Sequence, residues 1–68
     1  MDAATYEMVL TAYDETCRDA RGQGQAEAVA HREGITAAAM CLAAMTGVED
    51  AAARAEVESL DLAKQLAA

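Results

Sequence analysis

Residues 36–45 read Thr36-Ala37-Ala38-Ala39-Met40-Cys41-Leu42-Ala43-Ala44-Met45, ten positions without a charge. Alanine, leucine and methionine are strong helix formers, and the chain holds no proline. The run therefore reads as helix. A surface helix keeps a polar face opposite its apolar stripe; this one has no such face, so it needs cover on nearly every side. Val, Ile and Thr are sparse elsewhere. The fold class that follows is all-α: a small bundle of three to four helices, read as one domain over residues 1–68.

A domain this small buries only about 60% of its unfolded surface. Phe and Trp are absent, and much of the apolar content is alanine, which buries little area per residue. A second chain is the simplest source of cover, so a homodimer is expected. Ile35, Ala38, Cys41, Leu42, Met45, Leu62 and Leu66 are the expected interface.

Working outward, the first helix is expected from Asp2 or Thr5 to Arg21. Tyr6, Val9, Leu10, Tyr13, Cys17 and Ala20 form one stripe at helical spacing. Asp14 and Arg18, one turn apart, can pair on the other face. Gly22-Gln23-Gly24 ends the helix. The second segment starts near Gln23 or Gln25 and meets Gly34. Either the helix continues through Gly34, at about 1 kcal/mol relative to alanine, or the chain turns there. Thr36, a competent N-cap, favours the turn. Gly47 can end the charge-free helix, and Thr46 with Glu49 has capping-box spacing. The last helix is expected from Val48 to Gln65 or the chain end. It carries Ala53, Val57 and Leu60 on one strip and Ala55, Leu62 and Leu66 on another, nearly opposite.

The segment Val29 to Ala43 resembles the helix-turn-helix of bacterial and phage repressors. Ala30 stands at the small packed position, Gly34 at the turn, Ile35 after it, and Met40 and Ala43 at inward positions. Glu33 departs from the pattern, which prefers an apolar residue. The resemblance implies a central helical pair and DNA binding. The chemistry opposes the second part. The exposed positions would be Thr36, Ala37, Ala38, Cys41 and Leu42, which offer base edges almost no donors or acceptors. Five basic residues face twelve acidic ones, for a formal charge of −7. Nucleic acid is therefore not the expected partner, and a DNA-binding or transcriptional accessory role stands as the alternative.

Catalytic chemistry is not visible. Glu27 and the single histidine, His31, could both touch a metal, but two ligands are too few for structural zinc. Cys17 lies on the apolar stripe and reads as an inert thiol. A Cys17–Cys41 disulfide is the alternative to two reduced cysteines. Met40 and Met45 read as core filler. No metal, cofactor or enzymatic activity is expected. No segment has the roughly 18 apolar residues of a membrane span, and Met1-Asp2 opens no signal-peptide pattern; cytoplasm is the expected location.

The acid excess suits a basic protein partner. Asp14, Glu15, Asp19, Glu49, Asp50, Glu56, Glu58 and Asp61 are the expected docking surface. In size and charge the chain is similar to phage-encoded inhibitors of host defence, anti-CRISPR proteins among them. That resemblance implies an inhibitor that imitates nucleic acid charge.

Overall fold

The computed structural model describes residues 1–67 and is helical throughout, with short connections. The helices are α1 (Ala3–Gly22), α2 (Glu27–Thr46), α3 (Asp50–Ser59) and α4 (Leu62–Ala67). The expected all-α bundle of three to four helices is observed. The chain end, residue 68, lies outside the described residues.

α1 begins where cap chemistry places it. Asp2 accepts a hydrogen bond from the Thr5 amide at 2.8 Å, which satisfies an otherwise free N–H of the first turn. The same bond holds the Asp2 carboxyl below the usual carboxylate range. The expected stripe is the inward face: Val9, Tyr13, Cys17 and Ala20 are buried, with Tyr6 and Leu10 packed beside them. Past Gly22, the amides of Gln23, Gly24 and Gln25 turn back onto carbonyls of the last turn of α1. Gly24 takes the left-handed conformation (φ 84°) that a side chain would disfavour.

α2 corrects the reading of Gly34. There is no turn; one helix of 20 residues runs from Glu27 to Thr46. Thr36 caps nothing, and its hydroxyl donates to the Arg32 carbonyl one turn back at 3.0 Å. The glycine serves packing. A Cβ at position 34 would lie 2.6 Å from Cys17 Sγ and 2.8 Å from a Tyr13 ring carbon. Those separations are far inside van der Waals contact, so only glycine lets α1 and α2 approach this closely. The Cys17 thiol donates to the Ala30 carbonyl across the same contact at 3.3 Å. Both cysteines are free thiols, so the disulfide alternative is excluded in this structure.

The inward face of α2 is covered by its own chain. Ile35, Ala38, Ala39 and Leu42 enter a core with Val9, Tyr13 and Cys17 of α1, Ala53 and Val57 of α3, and Leu62 of α4. α1 packs on one side of α2 and α3 on another. Alanine is what permits this, because small side chains let three helices close around a narrow core. The Cα radius of gyration is 11.3 Å, near the roughly 11 Å of a folded chain of this length. Of the expected dimer interface, Ile35, Ala38, Leu42 and Leu62 are therefore core residues of a single chain. Cys41 is half-buried, and Met45 and Leu66 remain exposed.

Gly47 ends α2 as expected, in the left-handed region at φ 78° with its amide on Ala43 O. The capping box is not formed. Thr46 belongs to α2 and donates to Leu42 O at 2.8 Å, and Glu49 precedes α3 without a side-chain cap bond. The single last helix is also corrected. The chain breaks at Leu60-Asp61, where Asp61 adopts φ 52°. Aspartate tolerates this conformation better than most residues. The break turns Leu62 into the core alongside Val57, which a straight helix would have held on a nearly opposite face.

Candidate interaction surface

The eight carboxylates expected at a docking surface lie on α1 and around α3. Glu15, Asp19, Glu49, Asp50, Glu56, Glu58 and Asp61 are exposed, and Asp14 is half-buried. Two of them are neutralised within the chain. Arg18 reaches Asp14 at 3.2 Å, as its spacing predicted, and Arg54 approaches Glu58 at 3.8 Å. Arg21 pairs with Glu27 at 2.7 Å across the α1–α2 connection. The guanidinium holds the Glu27 carboxyl below its usual range.

These three pairs occupy three of the four arginines. Among the described residues, Asp2, Glu7, Glu15, Asp19, Glu33, Glu49, Asp50, Glu56 and Asp61 have no basic group within 4 Å. Pairing leaves the net charge at −7 and leaves these nine carboxylates as the unpaired acidic groups. Exposed pairs of this kind contribute little stability and are screened by salt.

The possible metal pair separates. Glu27 turns to Arg21, while His31 Nδ1 lies 2.7 Å from the Tyr13 hydroxyl, the rings meeting edge to face at 5.6 Å. Among the described residues, no three metal-capable side chains converge. The helix-turn-helix geometry is absent too. Its two helices are one, and Ala38 and Leu42, assigned to a base-reading face, are buried. Among the described residues, no single helix is long and apolar enough to cross a membrane.

Burial in the α1–α2 contact, with the Cys17 thiol beside it, pushes the Tyr13 phenol up to about 12 from the ordinary tyrosine value of 10.0. The folded state therefore holds this proton more tightly than the unfolded state. The associated stability is complete below about pH 10 and is lost as pH rises through about 12. Thermal melts across that window should show a falling midpoint. Tyr13→Phe should flatten the fall, while costing about 1 kcal/mol at neutral pH through the lost hydrogen bond.

Sequence reading missed a groove between α2 and α3. Thr36, Ala39 and Met40 form one wall and Asp50, Ala51 and Arg54 the other, around a space of about 490 Å³. Met40, expected in the core, is 66% exposed. The signal was present in the periodicity: with Ile35, Ala38, Ala39 and Leu42 inward, positions 36 and 40 fall on the outer face. Arg54 Nη1 donates to Thr36 Oγ1 at 3.0 Å and bridges the walls at one end. No protein family model, curated protein or solved structure matches the chain.

Proposed function

We propose that this protein is a small acidic protein-interaction module, an adaptor or inhibitor that docks its carboxylate-rich faces on a basic protein surface. The observation that carries the reading is the disposition of charge: three of the four arginines are tied up in intrachain pairs, while among the described residues nine carboxylates face outward without one. Complementary fields of this kind accelerate encounter and select partners by sign. A nucleic-acid-binding groove is the most basic surface a cell commonly offers. Blocking one with carboxylates in place of phosphates is the mechanism proposed, as in phage-type anti-defence or anti-CRISPR proteins.

The test is titration against purified nucleic-acid-binding complexes stripped of nucleic acid, with complex formation read by calorimetry at two ionic strengths. A bound complex should weaken as salt rises and should be displaced by nucleic acid. Glu56→Lys with Asp61→Lys should weaken it at least about tenfold, a loss of roughly 1.4 kcal/mol. Affinity indifferent to both salt and charge reversal would remove the electrostatic reading.

A further inference from the structure

We infer that the α2–α3 groove is the specificity pocket of this module, and that its occupant is one large apolar side chain on a cationic segment of a protein partner. This rests on the proposed acidic-surface function and adds where, and by what besides charge, the partner is held.

Much of the lining is apolar, with Ala39, Met40 and Ala51 beside Thr36, Asp50 and Arg54. The space of about 490 Å³ is at the small end of sites that take compact ligands or anchoring side chains. Methionine suits such a wall, because an unbranched and polarisable chain repacks around different apolar shapes. Met40 is exposed although large apolar residues are few in this chain.

The rim selects the sign of the occupant. Asp50 and Arg54, four residues apart on α3, line one edge of the groove, and Glu58 follows one turn beyond Arg54 on the same helix face. Arg54 is turned to Glu58 at 3.8 Å and to Thr36 at 3.0 Å. Asp50 has no basic partner among the described residues and is left to face an incoming cation. A second copy of the chain brings a formal charge of −7 against −7, which opposes self-docking at this rim. A lysine- or arginine-flanked leucine or aromatic residue meets both requirements together: apolar contact inside and opposite charge at the edge.

Two synthetic peptides of equal positive charge test this by amide-resolved NMR titration: an amphipathic leucine–lysine helix and a lysine-only chain. The leucine–lysine peptide should shift the six groove residues. Met40→Glu should weaken its binding at least about tenfold, although the substitution adds negative charge. Circular dichroism should show an intact fold, since Met40 lies outside the core. Shifts confined to the α1 carboxylates, or equal binding by Met40→Glu, would overturn the groove and leave the acidic-surface reading standing. Binding by neither peptide would overturn the groove, and the salt-dependent titration above would then decide the acidic-surface reading by itself. Groove shifts that grow with protein concentration, without peptide, would assign the site to a second copy and overturn the proposal.

Discussion

Gly34→Ala is expected to destabilise the protein by about 1–3 kcal/mol through overpacking, although alanine favours a helix by about 1 kcal/mol. The two effects oppose each other, and distance decides between them. The new Cβ would lie 2.6 Å from Cys17 Sγ, 2.8 Å from Tyr13 Cδ1 and 2.9 Å from Tyr13 Cε1. Neither neighbour is the free end of a long side chain, since both Tyr13 and Cys17 are buried. Relief requires α1 and α2 to separate, which loosens the contact that holds Val9, Tyr13 and Cys17 against α2.

Cys17→Ala tests the cause. It removes the nearest atom, so Gly34→Ala with Cys17→Ala should cost less than the sum of the single changes, by about 0.5–3 kcal/mol. A turn at Gly34 predicts no such coupling. Gly22→Ala is the control, because no heavy atom lies within 4 Å of its added Cβ. Urea midpoints at unchanged slope measure all four variants. A neutral Gly34→Ala, or strict additivity with Cys17→Ala, would contradict the close approach.

Leu42→Ala should cost about 2–5 kcal/mol. For a chain of this size the whole stability is of order 0.05–0.15 kcal/mol per residue. For 68 residues that is about 3–10 kcal/mol, so this variant is expected to lose a large share of its stability and to melt well below the unaltered protein. Met40→Ala, two positions away in the same uncharged run, should fall within about 0.5 kcal/mol of the unaltered protein. Leu42 is 1% exposed and Met40 66%. Far-ultraviolet circular dichroism during thermal melts separates them, and similar losses for both would mean that α2 is covered on its outer face as well.

The parts of this fold that could be read from sequence are those governed by neighbours in the chain. The α1 stripe, the Asp2 start, the Asp14–Arg18 pair and the Gly47 stop follow from helical periodicity and capping, and each is present. Gly34 could not be decided locally. A glycine that ends a helix and one that admits a neighbouring helix look alike until Tyr13 and Cys17, some twenty residues earlier, are placed opposite it. The Leu60-Asp61 break left a trace in the two nearly opposed apolar strips of the presumed last helix. Part of that pattern is resolved within the chain: the kink brings Leu62 onto the same core as Ala53 and Val57, while Ala55 and Leu66 stay exposed.

Alanine content acts in two ways: small side chains let α1 and α3 reach Ala38, Ala39 and Leu42, while Thr36, Met40, Ala44 and Met45 of the same run stay exposed. Of the candidate surface, exposure of the carboxylates was legible from their number and spacing. The groove was not, because Ala39 and Met40 meet Ala51 and Arg54 only through the crossing of α2 and α3.

One unbroken helix passes through Gly34, and its inward face is covered by its own chain. Residue-resolved amide hydrogen exchange, followed by NMR at two protein concentrations about a hundredfold apart, tests it most directly. Slow exchange is expected at Ala38, Ala39 and Leu42, continuous with that of Ala30 and Gly34 and unchanged by dilution. Fast exchange around Gly34, or protection of residues 38–42 that disappears on dilution, would contradict it.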